Sequence, residues 1–178
     1  MRRYRPLLAL LLLQLALGAD AQTPREDQIK AAFVYNFTKF IEWPSTSFAD
    51  ANAAIVIGVL GDSPMATVLD NVVRDRKVNG RPILVRTIQG PADAASIHVL
   101  FVSAAESSRW AQLQATIEPR PVVTVGESPW FAQSGGTINF IEQGDKLQFV
   151  INMVAAERSG VKISAQLQKL AAAVQRVP

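Results

Sequence analysis

The sequence contains no cysteine and a single histidine, His98. Without cysteine no disulfide can form, so packing alone must hold the chain together. Zinc sites need clusters of cysteine or histidine, and calcium loops need grouped oxygens at fixed spacing, neither of which occurs. Glycine-rich phosphate loops of the common types are also missing. We therefore expect neither a metal nor a cofactor.

Basic clusters and long apolar runs are equally scarce. No run of lysine and arginine with interleaved aromatics occurs, which excludes the usual electrostatic basis of nucleic-acid binding. The longest apolar run, Leu7–Leu17, is broken only by Gln14 and is short against the roughly 20 residues that span a bilayer. Arginines precede it and the small residues of 19–21 follow it. This pattern predicts a secretory signal peptide over residues 1–21, cleaved after Ala21, and hence an exported protein.

The remaining residues, 22–178, suit one α/β domain that is large enough to bury a real core. Apolar residues of helical period predict a first helix over residues 25–42. Short, almost wholly apolar runs typical of buried parallel strands follow at Ile55–Leu60, Ile83–Ile88, His98–Val102 and Val122–Val125. Amphipathic segments at Met65–Arg74 and Ser107–Ile117 separate them as crossover helices.

The alternation of strands and helices ends in the last third of the chain. Thr137–Glu142 and Lys146–Ile151 flank a short turn that contains glycine, which predicts a β-hairpin. A short helix at Met153–Arg158 and a closing helix over Ser164–Gln175, capped by Ser164, complete the chain. We therefore predict a single compact domain with a mostly parallel mixed sheet, a C-terminal hairpin and flanking helices.

Two loops share the pattern glycine, acid, serine, proline. Gly61-Asp62-Ser63-Pro64 follows the first predicted strand, and Gly126-Glu127-Ser128-Pro129 follows the fourth. One interpretation is purely local, since serine caps helices and proline suits their first turn. The other interpretation places Asp62, Ser63, Glu127 and Ser128 around a ligand crevice at the carboxyl edge of the sheet. This second interpretation makes a small-molecule-binding module the alternative function.

Enzymatic chemistry finds little support in the residues. Gly61-Asp62-Ser63 resembles the nucleophile block of serine esterases, but such a serine needs an imidazole as its base. His98 begins a predicted buried strand and is interpreted as a strand residue satisfied by hydrogen bonds. We therefore expect no catalytic residues and a binding protein rather than an enzyme.

Aromatic residues crowd the first predicted helix. They are more numerous than one core-facing stripe holds, and they comprise Phe33, Tyr35, Phe37, Phe40 and Trp43. Either the helix is buried over a wide face, or part of this face forms an interface. Trp130 and Phe131, after the fourth strand, raise the same two alternatives.

Two blocks of sequence resemble the YfiR-like periplasmic proteins. The first is the helix segment KAAFVYNFTKFIEWP of residues 30–44. The second is the closing block, with GTINF at 136–140, LQFVIN at 147–152, and then AA at 155–156, GVKIS at 160–164 and LQKLA at 167–171. Together they bracket nearly the whole mature chain. The resemblance implies a compact α/β domain, often dimeric, that binds the periplasmic part of an inner-membrane diguanylate cyclase and represses it, lowering cyclic di-GMP signalling.

The same resemblance implies further partners and contact residues. An outer-membrane lipoprotein is an additional expected partner. Expected partner-binding residues are Tyr35, Asn36, Lys39, Trp43, Phe149, Ile151, Asn152 and Ile163. Asn152, at a strand end, is equally suited to capping the following turn. The chain departs from the family at Val150, where members often have an acid, and in lacking the cysteine pairs of some members.

Overall fold

An eight-stranded mixed sheet organises the domain. The computed structural model describes residues 24–117 and 120–177; the predicted signal peptide lies outside these residues. The helices are α1 (Pro24–Thr38), α2 (Met65–Val73), α3 (Ser107–Ile117), α4 (Met153–Arg158) and α5 (Ala165–Leu170). The strands are β1 (Ile41–Glu42), β2 (Ile55–Leu60), β3 (Lys77–Val78), β4 (Arg81–Ile88), β5 (Val99–Val102), β6 (Val123–Gly126), β7 (Ile138–Gln143), β8 (Lys146–Asn152), β9 (Lys162–Ile163) and β10 (Ala173–Gln175).

The sheet is mostly parallel, as predicted. Its strand order is β10-β8-β7-β6-β5-β2-β4-β3, and β1 and β9 form a separate two-stranded pair. Antiparallel pairing within the large sheet is found for β7 with β8 and for β3 with β4. The predicted α/β class and C-terminal hairpin are confirmed.

Helices cover both faces of the sheet, because the central strands are apolar on both sides. In β2, Ile55, Ile57 and Val59 face the layer that contains α1 and α2. Val56 and Leu60 face the opposite layer, where α3 contributes Trp110, Leu113 and Ile117. The alternation of a strand with period two therefore fills two cores from one run of residues.

The wide aromatic face of α1 is an internal surface. Phe33 and Phe37 contact Phe140 and Phe149 of the hairpin, with ring centroids 4.8–6.0 Å apart. Such edge-on and offset ring pairs add to the stabilisation from burial. The cluster fixes the hairpin against the first helix.

The first helix ends earlier than predicted. It was expected to reach residue 42, but it ends at Thr38, whose hydroxyl donates to the Tyr35 carbonyl at 2.6 Å. Ile41 then pairs with Ile163 as β1 and β9. Ile41, a β-branched residue, is therefore extended rather than helical, because it has an extended strand to pair with.

The closing helix is also shorter than predicted. Ser164 caps it, accepting from the Leu167 amide at 3.2 Å, but the helix ends at Leu170 rather than Gln175. Residues 173–175 form β10 and lie parallel to β8. The exposed edge of β8 competes for these residues more effectively than an isolated helical turn does.

His98 is a buried structural residue, as predicted. Its Nδ1 accepts from the Val56 amide at 3.0 Å, and its Nε2 lies 3.1 Å from the Ser47 carbonyl. Phe48 stacks on the imidazole at 4.6 Å between ring centroids. Burial, with Arg81 nearby, lowers the pKa of His98 below 6.5, although the hydrogen bond to Ser47 opposes the shift. The ring therefore secures the segment around Ser47 to the sheet in its neutral form.

Candidate functional site

A cavity lies beside the hairpin, near the start of α1. Its volume is about 490 Å³. Its walls come from α1, the turn after β6, both hairpin strands and β10. Residues that line it include Lys30, Glu127, Pro129, Trp130, Asn139, Ile141, Glu142, Leu147, Val150 and Gln175. Mostly apolar walls with a few polar groups are the usual composition of a binding site.

The cavity exists because β6 is shorter than β7. Pairing between the two strands stops at Gly126 with Asn139, while β7 continues to Gln143. After Gly126 the chain turns away, and the Phe131 ring packs directly on that glycine. A Cβ at position 126 would lie 2.3 Å from the ring, so only glycine fits this approach.

The turn after β6 holds Trp130 out from the domain. Trp130 is 72% exposed, while its neighbour Phe131 is buried. The backbone of Trp130 has a φ of 67°, a left-handed conformation that is rare for a bulky side chain. Such a conformation costs about 1–3 kcal/mol and must be imposed by the surroundings. Here the buried Phe131 supplies that constraint, and Trp130 stands at the rim of the cavity.

A charged cluster forms the wall nearest α1. The Lys30 ammonium lies 2.6 Å from the Glu127 carboxylate and 2.6 Å from that of Glu26. Burial alone would lower the pKa of Lys30, but its hydrogen bonds to these two carboxylates outweigh burial and raise it. Burial raises the pKa of the neighbouring Asp27; Lys30 opposes this shift, and the Glu127 and Glu26 charges add to it. Two carboxylates therefore bind one ammonium, and the Asp27 carboxylate lies close enough to be influenced by all three charges.

Two buried asparagines brace this region. Asn139 donates to the carbonyls of Phe140 at 2.7 Å and Ser128 at 3.2 Å. The Asn152 side chain accepts from the Val154 and Ala155 amides and donates to the Ala132 carbonyl at 2.8 Å. Asn152 is thus the cap of α4 and ties that helix to the turn after β6. The capping role considered from the sequence is confirmed.

The predicted partner-binding residues fall into two groups. Asn36 and Lys39 are exposed and adjacent, with the Lys39 ammonium 2.9 Å from the Asn36 amide oxygen and 4.2 Å from the centre of the Tyr35 ring. Trp43 is half-buried and donates to the His98 carbonyl. The other side chains are buried inside the domain: Tyr35, Phe149, Ile151, Asn152 and Ile163. Their contact with a partner stays a prediction, and in this structure they support the surface rather than form it.

The structure does not bring the two serine loops into one crevice. β5 lies between the strands that precede them. The Asp62 carboxylate accepts from the Gln89 side chain, and the Ser63 hydroxyl accepts from the Met65 amide at the start of α2. Glu127 instead binds Lys30 and the Ala104 amide.

The cavities also separate the two serine loops. The cavity that contains Glu127 and the one that contains Ser128 are lined by neither Asp62 nor Ser63. The local, structural interpretation therefore suits the loop at Ser63.

Sequence reasoning missed three features of this site. The Lys30–Glu127 pair joins residues far apart in the chain, and only the four-residue spacing of Glu26 and Lys30 was a local signal. The open flank of β7 depends on where β6 stops. Gln175 was not expected to line the cavity, because the sequence predicts a helix at this position.

Two searches of the described residues complete the description. No three acidic or histidine side chains in residues 24–117 and 120–177 are grouped so as to hold a metal ion. Over the same ranges, every helix is too short or too polar to cross a membrane.

A family model described as YfiR/HmsC-like matches residues 27–172, from α1 through α5. No curated protein matches the sequence.

Proposed function

This chain belongs to the YfiR/HmsC-like family, and on that basis we propose that it is a periplasmic regulator that binds the periplasmic part of an inner-membrane diguanylate cyclase and represses it. The family is associated with the regulation of diguanylate cyclases, and its members are periplasmic regulators rather than enzymes. The observation that carries the proposal is the match over residues 27–172, which includes all strands except β10 and all helices apart from the first three residues of α1.

The proposed mechanism is a shift of population. A cyclase that exchanges between active and inactive arrangements is repressed by any protein that binds the inactive one more tightly. The features described above suit a binding role: a largely apolar cavity, an exposed Trp130 and exposed Asn36 and Lys39. The single histidine is committed to the fold through two backbone contacts.

The proposal includes how the chain reaches its partner. Residues 1–21 direct export, cleavage follows Ala21, and residues 22–178 fold as one domain outside the inner membrane. An outer-membrane lipoprotein that competes for the same surface, and a homodimer of the domain, are further parts of the proposal.

Cyclic di-GMP measurements in the source bacterium test the function. Deletion of the gene should raise the nucleotide level, and the full chain should restore it. A chain without residues 1–21 is the matched control, because it carries the same domain and remains in the cytoplasm. Equal restoration by both chains would contradict repression from the periplasm.

A direct binding experiment identifies the partner. The mature domain, immobilised and incubated with detergent-solubilised inner membranes, should retain a diguanylate cyclase. The purified domain added to spheroplasts, which expose the outer face of that membrane, should lower their cyclic di-GMP. Retention of no cyclase under conditions that preserve membrane complexes would count against the proposal.

A further inference from the structure

The hairpin extends beyond its neighbouring strands and forms a free arm. We call residues 140–149 the hairpin arm. On one side, pairing with β6 ends at Asn139; on the other, pairing with β10 begins at Val150. Within the described residues, no strand therefore flanks the arm on either side. Unpaired strand edges are templates for another strand.

The register of the hairpin shows which main-chain groups are open. Gln143 and Lys146 close the two-residue turn and form a hydrogen-bonded pair. Bonded and non-bonded pairs alternate along an antiparallel ladder, so the N–H and C=O of Glu142 point away from β8. The Phe140 carbonyl, which points the same way, already accepts from the Asn139 side chain. The open groups therefore belong to Glu142, which also lines the cavity.

Side chains around this edge define what it would bind. Trp130 stands at the rim as the most exposed of the large apolar residues described. The Gln175 side-chain oxygen is buried at the cavity wall and has no hydrogen-bond partner among the described residues. Because Lys30 is already held by Glu26 and Glu127, the Glu142 carboxylate has no free basic partner in the lining of this cavity; Arg25 and Lys146 line a second cavity that Glu142 also borders. Beside the open main-chain groups of Glu142, the surface offers apolar area and a carboxylate.

We propose that the open side of the hairpin arm, with Trp130, binds an extended peptide segment of a partner protein as an added strand beside β7. The segment alternates apolar and basic side chains, so that an apolar one covers Trp130 and a basic one meets Glu142. Two main-chain hydrogen bonds to Glu142 fix its register. This inference rests on the proposed function and deepens it, because it names the surface and the kind of segment through which the regulated protein is held.

Synthetic peptides test the edge without the cyclase. The probe is an end-blocked octapeptide of alternating lysine and valine, added to ¹⁵N-labelled mature protein (residues 22–178). Two control peptides are needed: one with glutamate in place of lysine, and one with N-methyl groups on the amides that would face β7. We expect the Glu142 amide signal to shift with the lysine peptide. N-methylation should weaken binding about tenfold, because the peptide loses the N–H that donates to the Glu142 carbonyl and the methyl group holds the strands apart.

Variants locate the contact. Trp130→Ala should weaken the lysine peptide about tenfold. Leu84→Ala is the matched control, since Leu84 is also a large exposed apolar residue (47% exposed) but lies in β4, at the far end of the sheet; it should leave binding unchanged. Glu142→Lys should reverse the preference and favour the glutamate peptide. Thermal unfolding of each variant shows whether its fold is intact.

Three outcomes would overturn the inference. They are an unshifted Glu142 amide at saturating peptide, equal binding of the N-methylated peptide, and equal losses from Trp130→Ala and Leu84→Ala. Failure of the proposed function has a different signature: the peptide would bind at Glu142, while the domain would retain no cyclase from membranes.

Discussion

Asn152 should contribute more to stability than any other capping residue described here. Its side chain caps α4 through two amides and also donates to the buried Ala132 carbonyl. In Asn152→Ala, loss of the cap costs about 1 kcal/mol. Loss of the bond to Ala132 adds about 0.5–1.5 kcal/mol, the usual net value of one hydrogen bond, since the Ala132 carbonyl still accepts from the Gly135 amide at 3.3 Å. The free energy of unfolding should therefore fall by about 1.5–2.5 kcal/mol.

Urea unfolding measures this loss. With a denaturant slope of about 2 kcal/mol per molar, the midpoint of Asn152→Ala should fall by about 1 M. Ser164→Ala is the control, since Ser164 caps α5 through a single amide and is half-buried. Its midpoint should fall by about 0.5 M. Equal shifts for the two variants would refute the bridging role that we assign to the Asn152 amide.

Three further predictions follow from buried groups. Because burial lowers the pKa of His98 in the folded state, the contribution of His98 to stability is complete above about pH 6.5 and is lost as the pH falls below that value. Unfolding free energies measured across pH should show a slope of at most about 1.4 kcal/mol per pH unit from this residue. A His98→Gln variant that keeps the slope would contradict the assignment. Lys30→Met should destabilise the domain by about 3–5 kcal/mol, since it leaves Glu127 buried without its charged partner. Loss of the exposed Arg74–Asp70 pair in Arg74→Met should cost about 0.5 kcal/mol or less. Similar losses of stability for the two variants in chemical denaturation would show that burial of the Lys30 pair is unimportant. Thermal unfolding should show that Gly126→Ala costs about 1–3 kcal/mol through contact with Phe131, and the fluorescence of Trp130 should change. Gly90→Ala, whose added Cβ would meet no atom within 4 Å, should leave the stability unchanged in the same measurement.

The central strands were predictable because their residues contribute to the cores on both faces of the sheet. β2 contains no polar residue, and the structure buries all six of its residues. The hairpin was equally clear, since Gly144 adopts the left-handed conformation that its tight turn needs. Local composition and local geometry agree in both places.

The ends of α1 and α5 were not predictable from local patterns. Ile41 continues the apolar periodicity of α1, yet it pairs with Ile163. Val174 continues the apolar face of α5, yet it pairs with Ile151. In each case a distant strand supplies hydrogen bonds that no helical propensity reveals.

The candidate site was hidden for the same reason. Trp130 was recognisable as an aromatic residue of uncertain exposure, but its conformation depends on how Phe131 packs on Gly126. The open groups of Glu142 follow from the point at which β6 stops. Both are consequences of tertiary contacts between segments that the sequence shows separately.

The aromatic packing of α1 sets an order of events for folding. Phe33 and Phe37 contact each other, but their further ring partners, Phe140 and Phe149, come more than 100 residues later in the chain. During synthesis the first helix emerges early, and the part of its surface that packs on the hairpin stays uncovered until the hairpin follows. A nascent chain of this kind should complete its core only when its last segments arrive, which would suit the export that we propose, since a chain threaded through a channel has to remain unfolded until it has passed.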